Sequence, residues 1–273
     1  MIVIKLIGGL GNQMFQYAAA RAISIERKQK LFININSFKT YTVHKYGLNF
    51  FALKTNIYQK PSNLKKRYIK YFKNKQEFVE VDFNFNSDFF NLHGDPLILE
   101  GFFQSELYFK KYDKEIRNDF QIMSKLKPIT LKTIDYIKDV NAVSIHFRRG
   151  DYLSHHIHNT NKSEYYKSAM AYIENKLENP VYFVFSDDIN WAKENFKVPF
   201  ETHYIDFNDA DSNYEDLKLM SSCKHNIIAN SSFSWWGAWL NPNPDKIVIA
   251  PQKWFNDDSL DYSDVVPQNW IKF

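Results

Sequence analysis

Seven consecutive residues, His146-Phe147-Arg148-Arg149-Gly150-Asp151-Tyr152, concentrate the groups best suited to chemistry. Adjacent guanidiniums present forked donors that match phosphate oxygens bidentately. Gly150 lets a ligand approach the backbone, and Asp151 can orient one arginine. A surface Arg-Asp cluster closing a loop would look the same. Two polar clusters follow, Ser186-Asp187-Asp188 and Asn230-Ser231-Ser232-Phe233. A carboxylate in the first suits ribose hydroxyls or a base edge, while Asp187 or Asp188 would equally cap a helix. Hydroxyls and free amides in the second suit phosphate, and again plain capping competes. Near the start, Gly8-Gly9-Leu10-Gly11-Asn12 opens like a dinucleotide fingerprint, but Met14 stands where its third glycine belongs. That disfavours NAD. The Gly11 backbone and the Asn12 amide can still reach a ligand.

Metal ligation fits less well. Asp209-Ala210-Asp211 has a cation-binding form, yet in FNDADSNYED it reads better as an acidic loop before a helix. His155, His156 and His158 lack an evident fourth zinc ligand, and read as a cleft loop that can offer a base. No metal site is expected.

These residues need elements that bring them together. Ala142–Phe147, Val181–Phe185 and Asn226–Ala229 read as strands, each ending just before one of the three clusters. Val181–Phe185 is apolar without a break, which predicts burial on both faces. Helices are predicted over 163–177, with Tyr166, Met170, Ile173 and Leu177 on one face, and over 190–196, 214–223 and 232–240. Short strands at Thr202–Ile205 and Lys246–Ala250 complete a β-α alternation, hence a Rossmann-like parallel sheet from about 140 to 255. The first half starts alike: strand Ile2–Ile7, helix Gln13–Lys28 with Phe15, Ala18, Ala22 and Ile25 inward, strand Leu31–Ile35. The middle, 37–95, is irregular; Leu97–Phe103 reads as a strand and Glu106–Phe120 as a helix. A linker is expected over Lys125–Lys138, near Pro128. This divides the chain into an N-terminal α/β domain, 1–135, and a C-terminal one, 136–273, whose tail after about 255 packs back on the first.

Composition bounds the rest. At 273 residues, 44% hydrophobic and 24% charged, the chain is an ordinary globular one rather than disordered or fibrous. The single Cys223 excludes an intramolecular disulfide framework. The net charge of +4 hides an asymmetry: residues 1–140 carry 23 Lys+Arg and 13 Asp+Glu, and the remainder 12 and 18. The longest uncharged run, 19 residues from Asn226 to Pro244, holds four Asn, three Ser and two Pro, and cannot span a membrane. With no export signal either, a cytoplasmic protein is expected. Lys60–Lys75 holds seven basic residues, with Leu64, Tyr68, Tyr71 and Phe72 at helical spacing. A solvated helix explains it; so does peripheral contact with an anionic membrane at the inner face. Aromatics at 17% fit sugar-stacking surfaces, and equally a genome biased toward Phe and Tyr codons.

HFRRGDY, VFSDD and NSSFSWWGAW, in that order, with an opening IKLIGGLGNQMFQYAAARA and a central LEGFFQSELYF, resemble the bacterial α1,2-fucosyltransferases, glycosyltransferase family 11. The resemblance runs from residue 1 to about 255. It implies a GT-B-like fold, two Rossmann-like α/β domains facing a central cleft. It implies inverting, metal-independent transfer of L-fucose from GDP-fucose to the 2-hydroxyl of a galactoside. The acceptor would be a galactose-containing glycan, lipid-linked in surface polysaccharide (O-antigen or capsule) synthesis, with no nucleic acid and no cofactor. In the wider fucosyltransferase group the first motif arginine, here Arg148, meets the β-phosphate. His146, with Asp187 or Asp188, approaches guanine or ribose. Ser231 or Ser232 approaches phosphate, and Asn12 reaches into the site. The expected donor set is thus Gly11, Asn12, His146, Arg148, Arg149, Asp187, Asp188, Ser231, Ser232 and Phe233. The expected catalytic set is Arg148, Asp151 and His156. Which group takes the acceptor proton stays open between Asp151 and His155, His156 or His158. Phe147 departs from the usual Val or Leu, without consequence for the site.

Overall fold

A computed structural model describes residues 1–58, 74–150 and 163–273. The chain divides into two compact units, Met1–Met123 with Asp261–Pro267, and Ser124–Leu260 with Gln268–Phe273.

In the first unit, strand Ile2–Lys5 (β1) leads into helix Leu10–Glu26 (α1). Strands Leu31–Asn34 (β2), Asn56–Ile57 (β3), Gln76–Val79 (β4) and Leu97–Glu100 (β5) follow, then helix Asp113–Asp119 (α2). The sheet order is β3-β2-β1-β5-β4, and every pairing is parallel. From β1 the chain runs outward through β2 and β3, then crosses to build the other side. Its switch point therefore lies between β1 and β5. Helix α1 buries most of its circumference, Gln13 and Gln16 included, which is why its sequence shows little amphipathic contrast. The helix expected over 106–120 is shorter. Two 3-10 turns, Glu106–Tyr108 and Lys110–Tyr112, precede α2. Strands β3 and β4 lie where the sequence reads as irregular, because two to four residues are too few to show a period.

In the second unit helix Pro128–Asp139 (α3) comes first. Strand Asn141–Phe147 (β6), helix Ser163–Lys176 (α4), strand Pro180–Ser186 (β7), helix Ile189–Asn195 (α5), strand Thr202–Tyr204 (β8) and helix Asn213–Ser222 (α6) alternate after it. Strand His225–Ile227 (β9), helix Ser232–Leu240 (α7) and strands Val248–Ala250 (β10) and Ile271–Lys272 (β11) finish the unit. The parallel sheet runs β11-β10-β9-β6-β7-β8, so its switch point lies between β6 and β9. Successive side chains of a strand point to opposite faces. Accordingly Tyr182 and Val184 pack with Ile173 of α4, while Val181, Phe183 and Phe185 pack with Ile134 and Ile137 of α3. The uninterrupted apolar run at 181–185 is buried on both faces, as its composition predicts.

Two expectations need correcting. The stretch read as a linker is helix α3, started by Pro128 at its first turn, where a missing N–H costs nothing. The division therefore falls after Met123 rather than at 135. The tail does not pack as one piece. Asp261–Pro267 belongs to the first unit, and Gln268–Phe273 adds the edge strand β11 to the second.

Lys127 fastens the start of α3. Its backbone amide donates to Glu215 Oε2 at 3.0 Å, and its ammonium donates to Phe207 O, Asn208 Oδ1 and Ser212 Oγ, each at 3.0 Å. Beside it, Asp216 Oδ1 accepts from Asn208 Nδ2 at 2.7 Å. Burial pushes the Asp216 carboxyl up to about 7; Asn208 and Lys127 oppose this, and Glu215 and Asp209 reinforce it. A carboxyl raised in the folded state adds stability that is complete below its unfolded value near 3.8 and lost as pH rises through about 7. Asp216→Asn keeps the accepting oxygen and removes the charge. It should resist urea better than the parent at pH 8, with the gap narrowing steadily below pH 7 and closing only below about 3.8; equal midpoints at pH 8 would refute this origin.

Candidate functional site

Three loops leave adjacent strands at the carboxyl edge of the second unit's sheet. Strand β6 lies between β9 and β7, with Phe147 opposite Ser186 and Ile145 opposite Ile227. Ligands of open parallel sheets sit beyond such ends, at the switch point.

Asp187 gathers the first two loops. Its Oδ1 accepts the Arg149 amide at 2.8 Å, and its Oδ2 pairs with Arg148 Nη1 at 2.9 Å. An arginine has five N–H donors in a fixed fork, a geometry that suits the oxygens of an anion. Asp188 does the capping instead, accepting the Trp191 amide of α5 at 3.1 Å. Its second oxygen lies 3.6 Å from Arg149 Nε. The sequence left both roles open to both residues, and the structure separates them. Gly150 has a packing reason to be glycine: a Cβ there would come 2.7 Å from Asp187 Oδ2.

Trp191 is a site residue the motifs did not single out. The Arg149 guanidinium carbon sits 3.8 Å above its ring centroid, close enough for a strong cation-π contact. The ring also touches Phe147, which packs on Tyr166 and Phe196 in the core. An aromatic one turn after a carboxylate cap was the available signal. His146 is buried, its carbonyl accepts Tyr166 Oη at 2.7 Å, and its ring meets Phe233 at 6.1 Å between centroids. Ser231 is the N-cap residue of α7, yet its hydroxyl makes no capping bond. Ser232 and Phe233 are half-buried in the first turn of that helix. Trp235, Trp236 and Trp239 are core residues, buried with Trp270. Asp209 behaves as a loop carboxylate, its Oδ1 accepting the Asp211 amide at 3.1 Å, the Ser212 amide at 2.9 Å and Ser212 Oγ at 2.7 Å. Asp151, His155, His156 and His158 lie outside the described residues, as does the basic run from Lys60 up to residue 73.

Gly11 and Asn12 belong to the first unit. They stand in the opening turn of α1 rather than in the loop that joins it to β1. Buried amides fasten that turn. Gln13 Nε2 donates to Gly8 O at 2.8 Å and Lys45 O at 2.9 Å, while its Oε1 accepts the Gly47 amide at 2.9 Å. Gln16 accepts the Ile7 amide at 3.1 Å and donates to Gly101 O at 3.0 Å. Gln104 Nε2 reaches across the β1–β5 switch point to Asn12 Oδ1 at 2.9 Å. Gln13, Gln16 and Gln104 were missed. The one available signal was two glutamines three apart in a helix of otherwise apolar character, polar where apolar is expected.

The glycosyl transferase family 11 profile matches residues 1–273. The chain belongs to this family. Over 100% of its length it is 34% identical to an alpha-1,2-colitosyltransferase of Escherichia coli, covering 98% of that protein. Over 97% it is 31% identical to the O-antigen biosynthesis glycosyltransferase WbnK of Escherichia coli, again covering 98%. Among solved structures, POFUT1 in complex with GDP superposes with a TM-score of 0.53 at 14% identity, covering 91% of this chain and 97% of that one. That likeness concerns the fold, and this family 11 glycosyltransferase has two parallel α/β units of the GT-B-like kind. The Arg148–Asp187 geometry gives a direct test. Gly150→Ala should push Asp187 away from Arg148 and slow glycosyl transfer by about a hundredfold, as displacements near 1 Å do. Wild-type turnover in that variant would show that the pair is not needed.

Proposed function

We propose that this glycosyltransferase moves L-fucose from GDP-fucose to the 2-hydroxyl of a galactoside, with inversion and without a metal, in the synthesis of a bacterial surface polysaccharide. One observation carries the reading: Arg148 and Arg149, organised by Asp187, stand at the switch point beside the uncapped N-terminus of α7. Together they make an anion site for a diphosphate. The two Escherichia coli relatives, an alpha-1,2-colitosyltransferase and an O-antigen biosynthesis glycosyltransferase, support the α1,2 linkage and the O-antigen setting.

In this reaction the acceptor oxygen bonds to the anomeric carbon while the bond from that carbon to the β-phosphate oxygen breaks. The bonding electrons leave with GDP, and the hydroxyl proton passes to a base, for which Asp151 and His156 are the nominees. Negative charge grows on the leaving phosphate. Arg148, held by Asp187, stabilises charge that develops only in the transition state. Arg149, stacked on Trp191, adds positive potential without needing to move. His146, Asp188, Ser231, Ser232 and Phe233 follow the remaining strand ends, for the nucleoside and the phosphates. Lys60–Lys75 supports peripheral contact with the inner membrane face and a lipid-linked acceptor. Among the described residues no helix is long and apolar enough to cross a membrane.

A second reading takes GDP-colitose as donor, favoured by the name of the 34% identical relative. Colitose is fucose without its 3-hydroxyl, and a site that hydrogen-bonds a hydroxyl strongly rejects the analogue lacking it. Comparing kcat/KM on the two donors decides: at least a tenfold preference for GDP-fucose is expected, and the reverse would install the second reading. Arg148→Ala should lower kcat about a hundred- to a thousandfold, with the parent fully active in EDTA. Loss of activity in EDTA, restored by Mn²⁺, would refute metal independence.

A further inference from the structure

A cavity of about 460 Å³ opens within the first unit, where the donor-binding residues of the second unit have no part. Its volume lies in the range of small-molecule sites, roughly 300–1,000 Å³. It sits at the carboxyl ends of β1, β4 and β5, lined among others by Lys5, Glu80, Asp82, Phe83, Glu100 and Phe102. The wall is built rather than incidental. Glu80 Oε2 accepts the amides of Phe102 at 2.6 Å and Phe103 at 2.8 Å. This pins a turn in which Gly101 has φ +154°, and a Cβ on Gly101 would come 2.4 Å from the Glu80 Cβ. Phe102 is thereby fixed beside Phe83, their rings 13° from parallel with centroids 6.3 Å apart.

The charges select a ligand. Three carboxylates face one ammonium, and Lys5 Nζ is already spent on Glu100 at 2.5 Å. Asp82 gives one oxygen to the Asn84 amide at 3.1 Å and keeps the other. An aromatic wall with acceptor oxygens beside it suits a ligand with one C–H face and a rim of hydroxyls. An anion would meet a surplus of negative charge. We infer that this cavity binds a neutral pyranose of the acceptor glycan, its apolar face on Phe102 and its hydroxyls donating to Asp82. The inference rests on the glycosyl-transfer reading above and gives its acceptor a place. Burial also pushes the Glu80 carboxyl up to about 7, with the Phe103 and Phe102 amides opposing, so Glu80 adds less negative charge to the wall at neutral pH.

The test uses the full-length protein and methyl β-galactoside in saturation-transfer NMR. Transfer should fall on the C–H protons of one sugar face and vanish in Phe102→Ala. In Asp82→Asn the acceptor KM should rise at least tenfold, with donor KM as the internal control. Galactose 6-sulfate should give no signal. Unchanged galactoside signals in both variants, or equal binding of the sulfate, would overturn the inference. Should Phe102→Ala fail to fold by circular dichroism, Asp82→Asn at its exposed position decides alone. Galactoside binding without fucosyl transfer would remove the fucosyltransferase reading and leave the cavity assigned. Transfer that ignores both substitutions would do the opposite.

Discussion

The carboxylate of Asp187 carries the geometry of the second unit's site. One oxygen takes the Arg149 amide and the other holds Arg148. With the strands pairing Phe147 opposite Ser186, two residues that follow different strands meet at one point. Without that acceptor, two adjacent guanidiniums would repel each other, and the backbone between them would lose its anchor. The pair is only part-buried, so its worth as a stabilising ion pair is small. Its value is orientation, since it fixes the Arg148 guanidinium against the loop that follows β7. Arg149 is fixed by different means, an aromatic face below and a carboxylate at the edge. Each arginine thus has its own restraint, and neither depends on the other.

The second unit was largely legible in the sequence, for a physical reason. Its central strands β6 and β7 are buried on both faces, Val181–Phe185 reads as an unbroken apolar run, and α4 carries one clear stripe. Phe183 and Tyr182 announce opposite faces simply by being adjacent and both large and apolar. The first unit was less legible. Asn56–Ile57 is too short to show alternation, and Gln76–Val79 alternates half-buried with exposed residues, so neither stands out. Pro128 was read as punctuation between domains when it opens a helix. Proline stops a helix from one side and starts it from the other, and local sequence does not say which.

For the candidate site, the motif ends were found and their division of labour was not. Asp187 and Asp188 are neighbours of one type, and only the fold shows that the first faces the arginines while the second caps α5. Gln13, Gln16 and Gln104 escaped notice because buried amides have no signature beyond being polar where apolar is expected. Bulk charge is no guide to either site. The basic first half contains a cavity whose lining is acidic, just as the acidic second half contains the arginine pair. Charge summed over a hundred residues reports on solubility and long-range steering; recognition is decided within a few ångströms.

The backbone passes from one unit to the other after Met123, after Leu260 and again after Pro267. Phe85 in the first unit donates its amide to Asp264, nearly two hundred residues downstream, at 3.1 Å. Strand β11 uses the last few residues of the chain. On the ribosome, therefore, neither unit can be finished when its main stretch has emerged. Both wait for residues 261–273, and a nascent chain that stops before them would leave two incomplete bodies rather than one intact half.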